Sequence, residues 1–297
     1  MSAAGAEVVC AGVVHVYPGE DAPIVALRNV DLHARAGEMV AINGPSGSGK
    51  STLLALLSGL MAPTAGTIRV GDHDMTRLDR RGLARLRATE LALILQDPLR
   101  NQLPYATTLE NLAFAQRGAR RRGWPLRWSP DELVDAFGLG AVARRPVHGV
   151  SGGEQQRVAI AGATATSPRV LLADEPTARL DHAGRDAVID NLRRAHALSG
   201  ATVIIVTHDT TLAEALPRAL GIAHGVVGSE RRAGQRLAVA GRDGSVQLPP
   251  EVAASTRRTR TDRRPAREHL GAPRRGSRRP RRRGDHPARD RRRRRGR

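Results

Sequence analysis

One nine-residue stretch constrains the fold of this chain more than any other part of its sequence. Residues 44–52 read GPSGSGKST, which follows the pattern G-x-x-x-x-G-K-S. The mostly apolar residues 38–43 before it predict a buried strand, and the apolar residues 52–57 predict a helix. Glycines let the backbone curl, so that successive N–H groups and the start of the helix point into one anion-sized concavity. The stretch is therefore a candidate phosphate-binding loop.

The residue types of this loop, called the phosphate loop below, have expected roles. Lys50 would reach the terminal phosphates of a nucleotide, and the Ser51 hydroxyl would ligate Mg²⁺. Lys50 is the only lysine in the sequence, in which every other basic position is arginine. A compact ammonium fits among curled amides, whereas a planar guanidinium is too large. The alternative is a flexible turn with a solvated lysine, and the lone lysine favours the binding loop. The candidate ligand-binding residues are Gly44, Pro45, Ser46, Gly47, Ser48, Gly49, Lys50, Ser51 and Thr52.

The net charge of +19 suggests a nucleic-acid binder at first sight, but it is concentrated at one end. Residues 256–297 hold 20 arginines and 4 acidic residues, so residues 1–255, with 28 basic and 25 acidic residues, carry only +3. This tail has few apolar residues, which predicts disorder. It could bind polyanions non-specifically, or it could be a wrong-frame extension of a GC-rich gene. We expect no specific nucleic-acid partner.

Cysteine usage and hydropathy limit the class of protein. The single cysteine, Cys10, excludes a disulfide within the chain and fits a reducing compartment. No apolar run approaches the roughly 18 residues needed to span a bilayer, and the N-terminus lacks a signal-peptide pattern. We expect a soluble chain that would need another subunit for any work at a membrane.

The remaining patterns predict a sheet protein with helices inserted between strands. Tyr17 follows the first strand; its ring could stack on an adenine base or be a half-buried strand-end tyrosine. Gln96 ends a buried strand. Trp124, Trp128 and Phe137 are expected to pack in a core or interface. Strands are predicted at 8–16, 26–33, 65–71, 91–96, 170–175 and 201–207, and helices at 80–87, 109–122, 130–137 and 158–165.

Further candidate residues lie ahead of a helix and at the ends of buried strands. Ser151, Gly152 and Gly153 combine a hydroxyl, a flexible backbone and a helix start, which suits an anion, although Ser151 could simply cap that helix. Open α/β sheets place ligands at the carboxyl ends of their strands. There, Asp174 is suited to hold Mg²⁺ and Glu175 to deprotonate an attacking water. His208, after the next strand, could hydrogen-bond a terminal phosphate.

In this order, the features resemble the nucleotide-binding subunit of ABC transporters over roughly residues 8–228. The resemblance implies an α/β fold with a P-loop NTPase (RecA-like) core, an antiparallel β subdomain and a helical subdomain inserted at about 75–165. Domain 1–228 would precede a β-hairpin extension in 229–255, with strands at 237–240 and 245–248, and then the tail. By the family's motifs, Tyr17 matches the adenine-stacking aromatic, 44–52 Walker A and Gln96 the Q-loop glutamine. The signature is matched by Ser151, Gly152, Gly153, Glu154 and Gln155, and Walker B by 170–174. Glu175 matches the catalytic glutamate, 178–181 with Asp181 the D-loop and His208 the switch histidine.

The same resemblance implies an ATPase that uses ATP and Mg²⁺. Lys50, Glu175 and His208 would be catalytic; Ser51, Gln96 and Asp174 would bind the metal; the other matched residues would bind ATP. Two copies would form a head-to-tail homodimer through the ATP sites. A transmembrane permease would be the partner, and the chain would lie peripherally on the cytoplasmic face of the membrane.

The sequence is most similar to the subgroup for lipoprotein release, macrolide or peptide export and cell division, so we expect an exporter of lipid, peptide or drug-like cargo. Two departures are Val150, where leucine is usual, and residues 97–100, which lengthen the stretch after Gln96. One alternative is an ATPase that drives a membrane regulator without moving cargo. Another is an ABC ATPase acting on nucleic acid, which the lack of a long coiled coil between residues 49 and 151 opposes.

Overall fold

The computed structural model describes residues 5–178, 180–232 and 235–239. These residues form two sheets with helices around the larger one. The strands are β1 Val8–Tyr17, β2 Ile24–Ala34, β3 Met39–Asn43, β4 Ala65–Val70, β5 His73–Asp74, β6 Leu91–Ile94, β7 Val170–Asp174, β8 Thr202–Thr207, β9 Arg218–Ala223, β10 Val226–Arg232 and β11 Gln235–Ala238. The helices are α1 Lys50–Leu57, α2 Arg80–Thr89, α3 Thr108–Arg120, α4 Pro130–Ala136, α5 Gly152–Ala165, α6 His182–Ser199 and α7 Thr210–Ala215.

The smaller sheet is antiparallel, with strand order β2-β1-β4-β5. Its central strand β1 pairs Val8 with Ala34 on one side and with Val70 on the other. The predicted antiparallel pairing of the first two strands is thereby confirmed. Alternate residues of β1 and β2 point into one core, which is the pattern expected of a sheet with a single covered face.

The larger sheet has strand order β11-β10-β9-β3-β8-β7-β6, and its strands from β9 to β6 are parallel. Both faces of its centre are covered. In β3, Val40 and Ile42 belong to a core shared with the antiparallel sheet and α1, whereas Met39 and Ala41 belong to a core shared with the other helices. Side chains of a strand alternate between faces, so one apolar run supplies two cores. The predicted α/β architecture is confirmed.

Helix α2 lies between β5 and β6 in the chain, and helices α3 to α5 lie between the parallel strands β6 and β7. Phe137 is buried there, and the indole groups of Trp124 and Trp128 donate hydrogen bonds to the carbonyl oxygens of Ser167 and Leu198, as expected of packing residues. The predicted start of α5 at residue 158 is wrong. The helix begins at Gly152, because Ser151 caps it and carries the helical turn over the two glycines.

The larger sheet ends in a hairpin in which Ser229 and Glu230 of β10 pair with Ala238 and Leu237 of β11. Residues 245–248, predicted as the partner strand of 237–240, lie outside the described residues, as does the arginine-rich tail. Among the helices of the described chain, none has both the length and the apolar character that crossing a membrane requires.

Candidate functional site

The phosphate loop connects β3 to α1 at the carboxyl end of the parallel strands. Two of its three glycines, Gly44 and Gly49, are packed against neighbouring backbone, whereas a Cβ atom on Gly47 would meet nothing within 4 Å. A Cβ atom on Gly49, whose φ is +98°, would lie 2.6 Å from the carbonyl oxygen of Ala26, and one on Gly44 would lie 2.1 Å from that of Ile222. No side chain fits at these distances. The glycine pattern therefore follows from the close approach of β2 and β9 as well as from the curl of the loop.

Lys50 lies inside this curl, with 6% of its side chain exposed. Its ammonium donates hydrogen bonds to the carbonyl oxygens of Gly44, at 2.8 Å, and Pro45, at 3.0 Å. The same nitrogen lies 3.7 Å from Oε1 of Glu175. Three N–H donors thus have three nearby acceptors, which is the geometry that an ammonium offers and a planar guanidinium does not. The buried positive charge of Lys50 is therefore compensated by these oxygen atoms.

Ser51 and Asp174 bring two hard oxygen donors together beside Lys50. The Ser51 hydroxyl donates to Oδ1 of Asp174 at 3.4 Å. Burial first, and then the Glu175 carboxylate, raise the pKa of Asp174, whereas the Ser51 hydrogen bond and Lys50 lower it. The charged carboxylate is therefore incompletely compensated by the protein. A divalent cation would supply the missing charge, and Mg²⁺ favours such oxygen ligands, so the donor set fits this ion.

Without nucleotide, Asp174→Asn is expected to be more stable than the wild type near pH 7. The folded pKa of Asp174 lies above its ordinary value of 3.8, so its charged form destabilises the fold as the pH rises from there through the folded pKa. The neutral amide removes this cost. Thermal unfolding with a chelator present should show a Tm higher by about 1–3 °C near pH 7. The gain should shrink toward acidic pH; a gain that is equal at all pH values would contradict the assignment.

Glu175 follows β7 with φ of 45°, a left-handed conformation that a non-glycine residue rarely adopts. Its backbone N–H is held by the carbonyl oxygen of Val206 at 2.9 Å. Its Oε2 atom accepts from the backbone N–H of His208 at 3.1 Å and lies 2.8 Å from the Nδ1 atom of that ring. Such backbone conformations cost on the order of 1–3 kcal/mol. In this conformation the Glu175 carboxylate lies between the side chains of Lys50 and His208.

Asp209 is a supporting residue that sequence reasoning missed. It caps α7 by accepting from the N–H groups of Thr211 and Leu212. Its Oδ2 atom also accepts from the Thr177 hydroxyl at 3.3 Å and lies 3.3 Å from Nε of Arg185. These contacts fix the backbone next to His208. The aspartate ahead of a short helix is a recognisable capping signal, but the link to residues 177 and 185 depends on the tertiary fold.

Tyr17 lies beside the phosphate loop and is half-buried. Its hydroxyl is 3.2 Å from that of Thr52 and 3.7 Å from the sulfur of Met61. The ring meets His15 edge-on, with ring centres 4.6 Å apart. Its proximity to the loop is what adenine stacking requires, and the stacking itself stays a prediction.

Gln96 lies two residues beyond β6, and its side chain is exposed. The lengthened stretch after it forms a 3-10 turn at Pro98–Asn101, which Asp97 caps by accepting from the N–H of Leu99. Within the described chain, no hydrogen bond joins Gln96 to the phosphate loop. Its role as a metal ligand stays a prediction.

Ser151, Gly152 and Gly153, called the signature turn below, form the exposed start of α5. The Ser151 hydroxyl accepts from the N–H of Glu154 and donates to its Oε2 atom at 2.7 Å. This second bond, followed by one from the Ser151 backbone N–H to the same Oε2 atom, lowers the pKa of Glu154. A Cβ atom on either glycine would meet nothing within 4 Å. The fold of this chain alone therefore does not require the two glycines. An open backbone at a helix start is what close approach by another group needs.

Asp181 caps α6, because its Oδ1 atom accepts from the N–H of Gly184 at 2.8 Å. The residue is exposed, and its neighbour Arg179 lies outside the described residues. In this chain the predicted site residues thus fall into two groups. The residues around the phosphate loop are assembled, whereas the signature turn, Gln96 and Asp181 make no hydrogen bonds to that loop in the described chain. A site that used both groups of residues would need either movement within the chain or a second copy of it.

Comparison with known proteins gives consistent results. The family described as ABC transporter matches residues 27–178. The lipoprotein-releasing system ATP-binding protein LolD of Anaeromyxobacter dehalogenans is 43% identical over 218 residues, which cover 71% of this chain and 90% of the relative. The macrolide export ATP-binding/permease protein MacB of Rhodopseudomonas palustris is 38% identical over 224 residues. That match covers 75% of this chain but only 34% of the relative, so the chain spans about a third of its length.

Among solved structures, the chain is similar to the ATP-binding cassette MJ0796 in a dimeric, post-hydrolysis state bound to ADP and Pi. The two sequences are 32% identical, and the TM-score is 0.66. The match covers 76% of this chain and 98% of the cassette.

Proposed function

The chain belongs to the ABC transporter family, and we propose that it hydrolyses ATP between two copies of itself to drive an exporter permease. The observation that carries the proposal is the convergence of Lys50, Asp174, Glu175 and His208 on one loop, while the signature turn is exposed. One copy has the parts for holding phosphate and activating water. The second copy would contribute the exposed turn.

Binding of ATP rests on the phosphate loop. Backbone N–H groups and the start of α1 would hold the phosphates, and the Lys50 ammonium would leave the carbonyl oxygens of Gly44 and Pro45 to meet them. The Tyr17 ring would support the base. Ser51 and Asp174, with Gln96, would hold Mg²⁺, which when bound neutralises charge on the transferred phosphoryl group.

Hydrolysis would use Glu175 and His208 together. The Glu175 carboxylate would accept a proton from the attacking water, while His208 orients that carboxylate and contacts the terminal phosphate. Their existing contact supports this division, since the two side chains are 2.8 Å apart and Glu175 has only 12% of its side chain exposed. A fixed and nearly buried carboxylate loses little freedom before the reaction.

The second copy would complete the site head to tail. Its Ser151 hydroxyl would turn from the Glu154 carboxylate to the terminal phosphate, and the Gly153 backbone would approach closely. The dimeric, ADP- and Pi-bound state of the similar cassette supports a dimer of this kind. An isolated copy should therefore hydrolyse ATP slowly.

The partner would bind an apolar groove formed by α3 and the residues just before it. The groove has a volume of about 920 Å³. Leu103, Tyr105 and Phe114 line it and are 42%, 84% and 52% exposed. Arg117, Arg120 and Arg121 stand at the same groove. This combination suits an amphipathic segment that carries acidic side chains, from the cytoplasmic side of a permease. The chain would then lie peripherally on that face of the membrane.

Replacement of Tyr105 and Phe114 by alanine is expected to reduce recovery of the permease in membrane pull-downs roughly 10- to 100-fold. Exposed aromatic anchors commonly contribute more than 1 kcal/mol each to an interface. Leu60→Ala, which removes an equally exposed apolar side chain outside the groove, is the matched control. ATP binding should be unchanged in both variants. Full permease recovery with the double variant would place the partner elsewhere.

The cargo class follows from the relatives, whose names refer to lipoprotein release and macrolide export. We assign the same broad cargo class here, and a reconstituted chain–permease pair should raise its ATPase rate with a lipopeptide or a macrolide. A pair that hydrolyses ATP at one rate whatever cargo is offered would favour a regulator that moves no cargo.

A further inference from the structure

The signature turn is tied to the groove through two glutamines. The side-chain amide of Gln102 donates to the backbone carbonyl of Gln155 at 2.7 Å. The side-chain amide of Gln155 donates in turn to the carbonyl oxygens of Val147, at 3.2 Å, and Val150, at 3.1 Å. Gln155 therefore holds the residues that precede Ser151, and Gln102 holds Gln155.

The groove side of this connection is the loop 103–106, which begins directly after Gln102. Asn111 fixes that loop by accepting from the N–H of Leu103 and donating to its carbonyl oxygen. Two backbone hydrogen bonds join this loop to the segment ahead of the signature turn: the N–H groups of Val147 and His148 donate to the carbonyl oxygens of Ala106 and Pro104. Displacement of the loop by a groove occupant would therefore move the segment ahead of the signature turn.

Gln102 makes this link at a cost to the folded chain. Its side-chain oxygen is buried and accepts no hydrogen bond from the described residues. A buried polar atom without a partner is destabilising, whereas an apolar side chain of similar size would not be. Stability alone thus does not explain a glutamine here. The residue also lies directly after the 3-10 turn at Pro98–Asn101, which packs against α5.

We propose that Gln102 is a positioning residue that sets the signature turn for ATP-driven dimerisation and makes that setting depend on what occupies the groove. The first half rests on the proposed ATP-driven dimer, and the second half rests on the proposed permease. Gln102 acts through Gln155 on the residues that precede Ser151. The first half concerns the isolated chain, so it can be tested without any partner.

The test is an ATP titration of dimer formation in the Glu175→Gln background, with nucleotide affinity of the monomer measured separately. Gln102→Leu should raise the half-saturating ATP concentration about 5- to 10-fold, with monomer affinity unchanged. Its Tm should be equal to or above that of the parent. Arg100→Ala, an exposed change in the same turn, should behave as the parent. A merely structural role predicts the opposite pattern, namely a lower Tm with an unchanged titration, and that result would overturn the proposal.

A double variant tests whether Gln102 acts through Ser151. Adding Gln102→Leu to Ser151→Ala should change the half-saturating concentration less than two-fold, because the hydroxyl being positioned is already absent. Independent, multiplied effects of the two changes would overturn the proposal.

The permease assay separates the two proposals. In the wild type, failure to bind or respond to a permease would contradict the proposed partner and leave the titration result standing. A permease that stimulates wild type and Gln102→Leu by the same factor would sink the groove-dependent half.

Discussion

Glu175→Gln is expected to convert the chain into a stable ATP-bound dimer that barely turns over. The amide keeps the size of the side chain but removes the proton acceptor, so kcat should fall about 10²- to 10⁴-fold, the range for a general base. ATP binding should persist, since Lys50 and the backbone N–H groups of the phosphate loop are unchanged. Size-exclusion chromatography with ATP should show a dimer that the wild type forms only transiently.

Glu214→Gln is the matched control, because this glutamate is exposed on α7. It should retain wild-type turnover and no stable dimer. An unchanged hydrolysis rate in Glu175→Gln would remove the general base from the mechanism. Loss of dimer formation in that variant would instead show that the carboxylate serves assembly.

Lys50→Ala should abolish turnover and weaken ATP binding by at least about 10²-fold, as expected for the loss of a nearly buried cation from a phosphate site. Lys50→Arg should fail almost as badly. Its guanidinium cannot occupy the space bounded by the carbonyl oxygens of Gly44 and Pro45. Calorimetric titration with ATP and a phosphate-release assay measure both effects.

Arg80→Ala removes an equal charge from an exposed position on α2 and should leave both measurements unchanged. Full activity of Lys50→Arg would mean that the site needs only positive charge. In that case the presence of a single lysine in this arginine-rich chain would reflect codon usage and not the chemistry of the site.

Much of the architecture could be predicted because local patterns and tertiary structure agree. The apolar run 170–173 becomes a strand buried on both faces, and alternation in 8–16 becomes one face of an antiparallel sheet. The start of α5 could not be placed. Glycines at 152 and 153 argue against a helix by propensity, and the reciprocal bonds of Ser151 and Glu154 outweigh that preference.

The candidate site was predictable as a set of residues but not as a set of contacts. Strand ends pointed to Asp174, Glu175 and His208, since parallel strands bring their carboxyl ends to one edge. The left-handed backbone of Glu175 and the Gln102–Gln155 bond depend on residues far apart in the sequence. Periodicity carries no information on such pairs.

The shape of the phosphate loop depends on the carbonyl group of Ala26, which lies outside the loop's own sequence motif. This carbonyl oxygen would lie 2.6 Å from a Cβ atom on either Gly49 or Gly225, and the N–H of Gly225 donates to the carbonyl oxygen of Ser48. The loop thus packs against β2 and the β9–β10 turn, and we expect it to gain its shape only with both in place. Transplanting residues 38–57 into another scaffold should yield a chain that binds no nucleotide. During refolding, ATP binding should accordingly appear no earlier than the packing of β2 and the β9–β10 turn around the loop.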